Sequence, residues 1–85
     1  MKIEAYVEVY QEEFPGTSRS TAISTGETAC ELIQSEGSIA DAMIAIALDP
    51  DVGTTMAGDM AFVMGISVPV FCPEFMSELN TITGN

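Results

Sequence analysis

Thirteen carboxylates stand against two cations, Lys2 and Arg19, in a chain of 85 residues with no histidine, giving a net charge of −11. A chain of this length forms one domain with a small core, and its 47% hydrophobic content argues against intrinsic disorder. The missing histidine excludes serine–histidine and cysteine–histidine catalysis, and two cations cannot supply the phosphate contacts of direct nucleic-acid binding.

Residues 3–10 alternate strictly, with Ile3, Ala5, Val7 and Val9 on one side and Glu4, Tyr6, Glu8 and Tyr10 on the other. That period of two predicts a half-buried β-strand. Phe14-Pro15-Gly16-Thr17 has turn chemistry, and the Ser/Thr-rich residues 18–25 can return as a second strand, making an N-terminal antiparallel hairpin.

Capping-box spacings at Ser24/Glu27 and Thr28/Glu31 predict a helix over 27–36, ended by Gly37. Ser38 with Asp41 opens a second helix over 39–48, apolar on nearly every side and expected to be the most buried element. A strand over 43–48 is the competing assignment. After a loop at 49–53, Thr54 or Thr55 can cap a third helix through Met64, ended by Gly65.

Residues 66–72 predict an edge strand, because Pro69 cannot donate to a ladder. Pro73 can start a last short helix in which Phe75, Met76, Leu79 and Ile82 share a face. The fold class is therefore α+β: a hairpin, about three short helices and one edge strand. Residues 1–82 form a single compact domain and 83–85 a mobile tail.

Tests for built-in chemistry fail one after another. Asp49-x-Asp51-x-Gly53 departs from a calcium loop, having Gly53 at the fifth position, Thr54 at the sixth and Met60 at the twelfth. No phosphate-loop glycine pattern exists. Cys30 and Cys72 show no metal spacing and are expected as free thiols packed as small hydrophobes, with a disulfide between them as the alternative. No enzyme activity, cofactor or metal is expected.

The acidic start of the chain lacks the apolar run of a signal peptide, so a cytoplasmic protein is expected. The uncharged stretch 60–73, broken by Gly65 and Pro69, is too short to span a bilayer, and no membrane association is expected.

The candidate partner-binding residues are Glu4, Tyr6, Glu8, Tyr10, Glu12 and Glu13 on the first strand, extended by Glu27 and Glu31 on the first helix. Carboxylates can stand in for phosphates before arginine and lysine, while tyrosines give rigid contact area. Small size, extreme acidity, a βα-rich pattern and absent catalytic residues together resemble the small phage-type inhibitors, which include DNA mimics and anti-CRISPR proteins. The resemblance carries over no individual residue. It implies an inhibitor that occupies the basic surface of a nucleic-acid-binding complex. The alternative is a non-enzymatic interaction or assembly module, a homodimer included, using the Met56–Met60–Met64 stripe or the edge strand.

Overall fold

The computed structural model describes residues 2–84. Its helices are α1 (Lys2–Glu13), α2 (Arg19–Glu36), α3 (Ile39–Leu48), α4 (Thr54–Phe71) and, after a 3-10 turn at Pro73–Phe75, α5 (Met76–Thr83). Among the described residues there is no strand. The α+β expectation is overturned: hairpin and edge strand are both replaced by helix.

The first correction comes from a second period hidden in the alternating segment. Ile3, Tyr6, Val7, Tyr10 and Phe14 recur every three or four residues, the spacing of one helical face. Tyr6, Val7 and Tyr10 are buried, whereas Val9, assigned to the apolar strand face, is exposed. The aromatic residues fix the direction of α1 on α4. Tyr6 meets Phe71 edge-on at 5.1 Å and Phe14 meets Phe62 at 6.1 Å, so the two helices run antiparallel.

The chain turns at Phe14–Thr17, where Gly16 has φ of 87°, yet the turn joins two helices instead of two strands. Ser18 Oγ accepts the Thr21 N–H and starts α2 well before the expected boundary at residue 27. The predicted capping boxes thus lie inside a helix. Ala22, Gly26, Ala29, Cys30 and Ile33 form its buried stripe, mostly small residues that let α1 and α4 approach closely. Gly37 closes α2 with φ of 94°, its N–H bonding the Ile33 carbonyl at 2.8 Å.

Helix α3 keeps its expected span and cap, with Ser38 Oγ accepting the Asp41 N–H at 3.0 Å. Its first turn is also held from a distance, because the Glu78 carboxylate accepts the N–H groups of Ile39 and Ala40 at 2.7 and 3.0 Å. The expectation that α3 is the most buried element fails. Only Ile39 and Ala42 are buried, and the competing strand at 43–48 is absent.

Helix α4 runs straight through Gly65 and contains Pro69. Val63, Met64, Ser67, Val68 and the partly buried Phe71 make one continuous buried face, whose contacts outweigh the lost proline N–H. The predicted edge strand at 66–72 becomes its last turns. By length and composition α4, spanning Thr54–Phe71 and so starting six residues before the uncharged stretch 60–73, is long and apolar enough to cross a membrane. Here it is the central helix of the bundle, packed on α1, α2 and α3.

Cys30 and Cys72 are joined by a buried disulfide that ties α2 to the end of α4, correcting the expectation of free thiols. The bond closes a separation of 42 residues and fixes the C-terminal end of α4 against the middle of α2. Phe75, Met76 and Leu79 pack against the core while Ile82 is exposed. Of the expected tail, Thr83 ends α5, Gly84 caps it with φ of 83°, and Asn85 lies outside the described residues.

Candidate interaction surface

The structure divides the candidate binding residues into two sets. Tyr6 and Tyr10 are core residues, so the alternating acid–aromatic face does not exist. Tyr6 donates its phenol hydrogen to the Ala22 carbonyl, and burial pushes its pKa upward. Glu4, Glu8, Glu12 and Glu13 are exposed on α1, and Glu27 and Glu31 are exposed on α2.

Glu4, Glu8 and Glu12 share a helical stripe at a spacing of about 6 Å, but Glu4 is engaged by Arg19 through a charge-assisted hydrogen bond from Nε at 3.0 Å and a second from Nη2. The guanidinium holds the Glu4 carboxyl below its ordinary range. The nucleic-acid-mimicking strand face is thereby overturned, and with it the inhibitor function built on that face.

A different surface emerges at the corner between α3 and α4. Ile44 and Leu48 lie one turn apart on α3, and the short loop at 49–53 brings the first turn of α4, with Met56, to the same end. Leu48 is 77% exposed, Ile44 55% and Met56 54%, the three most exposed large apolar side chains among the described residues. Exposed Asp41, Asp49, Asp51 and Asp59 accompany them, and residues 39–71 contain no cation.

Asp49 Oδ1 accepts the Asp51 N–H at 2.9 Å, which spends that oxygen on the loop itself. Among the described residues no group of three His, Cys, Asp or Glu side chains converges to hold a metal.

The methionine stripe is graded, not uniform. Met56 is exposed, Met60 half-buried and Met64 wholly buried, so the stripe leads from solvent into the core. Sequence reasoning singled out this stripe but missed Ile44 and Leu48. The signal was present: a helix apolar on nearly every side cannot bury all of them in a chain this small.

These features define a small helical bundle, stapled by one disulfide and presenting an apolar, acid-flanked corner. Residues 4–74 match the DUF732 family, described as proteins of unknown function, and the chain belongs to that family. No curated protein and no solved structure matches significantly.

Proposed function

We propose that this chain is a non-catalytic helical interaction module that docks a protein partner on the α3–α4 corner. The exposure of Leu48, of Ile44 one turn before it and of Met56 in the first turn of α4 carries the proposal, because the cost of leaving large apolar side chains in water is offset when a partner covers them. The flanking aspartates favour a partner segment with an apolar face and basic edges, such as a cationic amphipathic helix. A second copy would set like charges against each other.

A synthetic leucine–lysine amphipathic helix is a suitable probe, titrated against the full chain and against Leu48→Glu. The variant is expected to melt normally, since the side chain is exposed, and to bind the probe at least about tenfold more weakly. Equal binding by both proteins would sink the proposal. A dimer in light scattering that Leu48→Glu splits would assign the corner to a second copy.

The buried Cys30–Cys72 disulfide supports an oxidising working environment in place of the expected cytoplasm. Thiol titration of protein recovered from its native source, under denaturing conditions without reductant, tests this. Two reactive thiols per chain would return the protein to a reducing compartment.

A further inference from the structure

At the other end of α4, a groove of about 380 Å³ lies between α1 and α4, within the size range of small-molecule sites of roughly 300–1,000 Å³. Ala5 and Val9 of α1 form one wall and Ile66 and Val70 of α4 the other, so the lining is almost wholly apolar. Gly65 lines it too, and a Cβ added there would meet nothing within 4 Å. A glycine inside a helix costs about 1 kcal/mol relative to alanine, and no packing contact requires this one. The missing side chain instead leaves space in the groove.

Lys2 stands at the groove's end. It is one of two cations in the chain, and the other, Arg19, is already held by Glu4. Among the described residues Lys2 has no ion pair. The unsatisfied first-turn N–H groups of α1 lie at the same end and add to the local positive potential. Of the carboxylates on α1 beside the lining, Glu4 is neutralised by Arg19 and Glu8 is exposed, while physiological salt screens the carboxylates farther than about 8 Å away.

We infer that the α1–α4 groove is a binding site for a single-chain amphiphile with an anionic head, a fatty-acid-like carboxylate in chemical class. The carboxylate pairs with Lys2 and the alkyl chain lies along Ala5, Val9, Ile66 and Val70. From Lys2 to Val9 the helix rises about 10 Å, which suits a medium-length chain. This site is separate from the α3–α4 corner and does not depend on it.

Decanoate, with decanol as its uncharged counterpart, tests the assignment by NMR titration of the full chain below micelle-forming concentrations. Saturable one-to-one binding is expected, with shifts at Ala5, Val9, Gly65 and Ile66. Lys2→Glu should weaken decanoate about fivefold and leave decanol unchanged. Gly65→Leu should fill the groove and abolish both; Val9→Asp, at an exposed position, is the second blocking variant should the leucine perturb folding.

No saturable decanoate binding would overturn the inference. So would binding that neither blocking variant reduces, or equal loss of decanoate and decanol in Lys2→Glu. Adsorption to vesicles containing anionic lipid without binding of the monomeric amphiphile would also overturn it.

Discussion

Tyr6 and Gly26 meet where α1 crosses α2, and a Cβ placed on Gly26 would lie 2.5 Å from Tyr6 Oη and 2.6 Å from Phe71 Cε2. Hydrogen at this position is what lets the phenol reach the Ala22 carbonyl and lets α4 close over both. Gly26→Ala is therefore expected to destabilise the fold by about 1–3 kcal/mol through overpacking, despite a helix-propensity gain near 1 kcal/mol. Urea unfolding of the variant measures the balance, and a net stabilisation would show that α1 and α4 can move apart freely.

The disulfide constrains the unfolded chain more than the folded one. For a closed loop of 42 residues, the chain-entropy estimate is about 4 kcal/mol, with measured losses commonly near 2–5 kcal/mol. Cys30→Ala/Cys72→Ala should lower the unfolding midpoint accordingly and keep the helical circular-dichroism signal below it. A midpoint within error of the parent would mean the helices alone carry the fold.

Ser67 is wholly buried on α4 with its hydroxyl near the Tyr6 phenol, whose pKa it lowers against the larger effect of burial, but among the described residues it has no partner at full hydrogen-bond geometry. An unsatisfied buried hydroxyl costs about 1–3 kcal/mol, so Ser67→Ala is expected to be neutral or stabilising by up to about 1 kcal/mol. A clear loss of stability would reveal a partner for the hydroxyl.

Glu78 caps α3 from α5, satisfying two first-turn donors. Glu78→Ala should cost about 1 kcal/mol, the usual scale of a lost N-terminal cap. Hydrogen exchange should quicken at Ile39 and Ala40 before it changes elsewhere. Unaltered exchange at both amides would show that Ser38 alone anchors the helix start.

The Glu4–Arg19 pair predicts a pH dependence with a definite sign. Arg19 lowers the Glu4 pKa below its ordinary value of 4.5, so the folded state binds that proton more weakly than the unfolded one. The stabilising contribution is fully present above 4.5 and is lost as pH falls through the depressed value. Both side chains are more than half exposed, so the effect is small and salt-sensitive. The stability difference between the parent and Glu4→Gln, followed by urea titration, should shrink as pH is lowered from 5 towards about 3. A difference that grows on acidification would contradict the pairing.

Local signals were legible where a boundary rests on short-range chemistry. The Gly37 stop, the Ser38 cap and the Ile39–Leu48 helix all depend on groups within a few residues of one another. The N-terminal segment was not legible, because its residues satisfy both a period of two and a period near 3.6. Distant groups hold Tyr6 inward: the missing Cβ of Gly26 leaves room for its phenol, Phe71 packs on its ring and the Ala22 carbonyl accepts its hydrogen. Pro69 misled for the opposite reason: a local breaker was overridden by the buried face that Val63, Met64, Ser67 and Val68 complete on both sides of Gly65.

By itself the sequence determined a charge of −11 that two cations cannot neutralise, the exclusion of histidine chemistry, and the helix stops and caps of residues 36–39. These follow from composition and from contacts along one stretch of chain. Tertiary packing alone decided that α1 is a helix, that Cys30 meets Cys72, and that Leu48 and Ile44 remain in water. Each of those outcomes depends on which distant surfaces compete for a core too small to cover every apolar face.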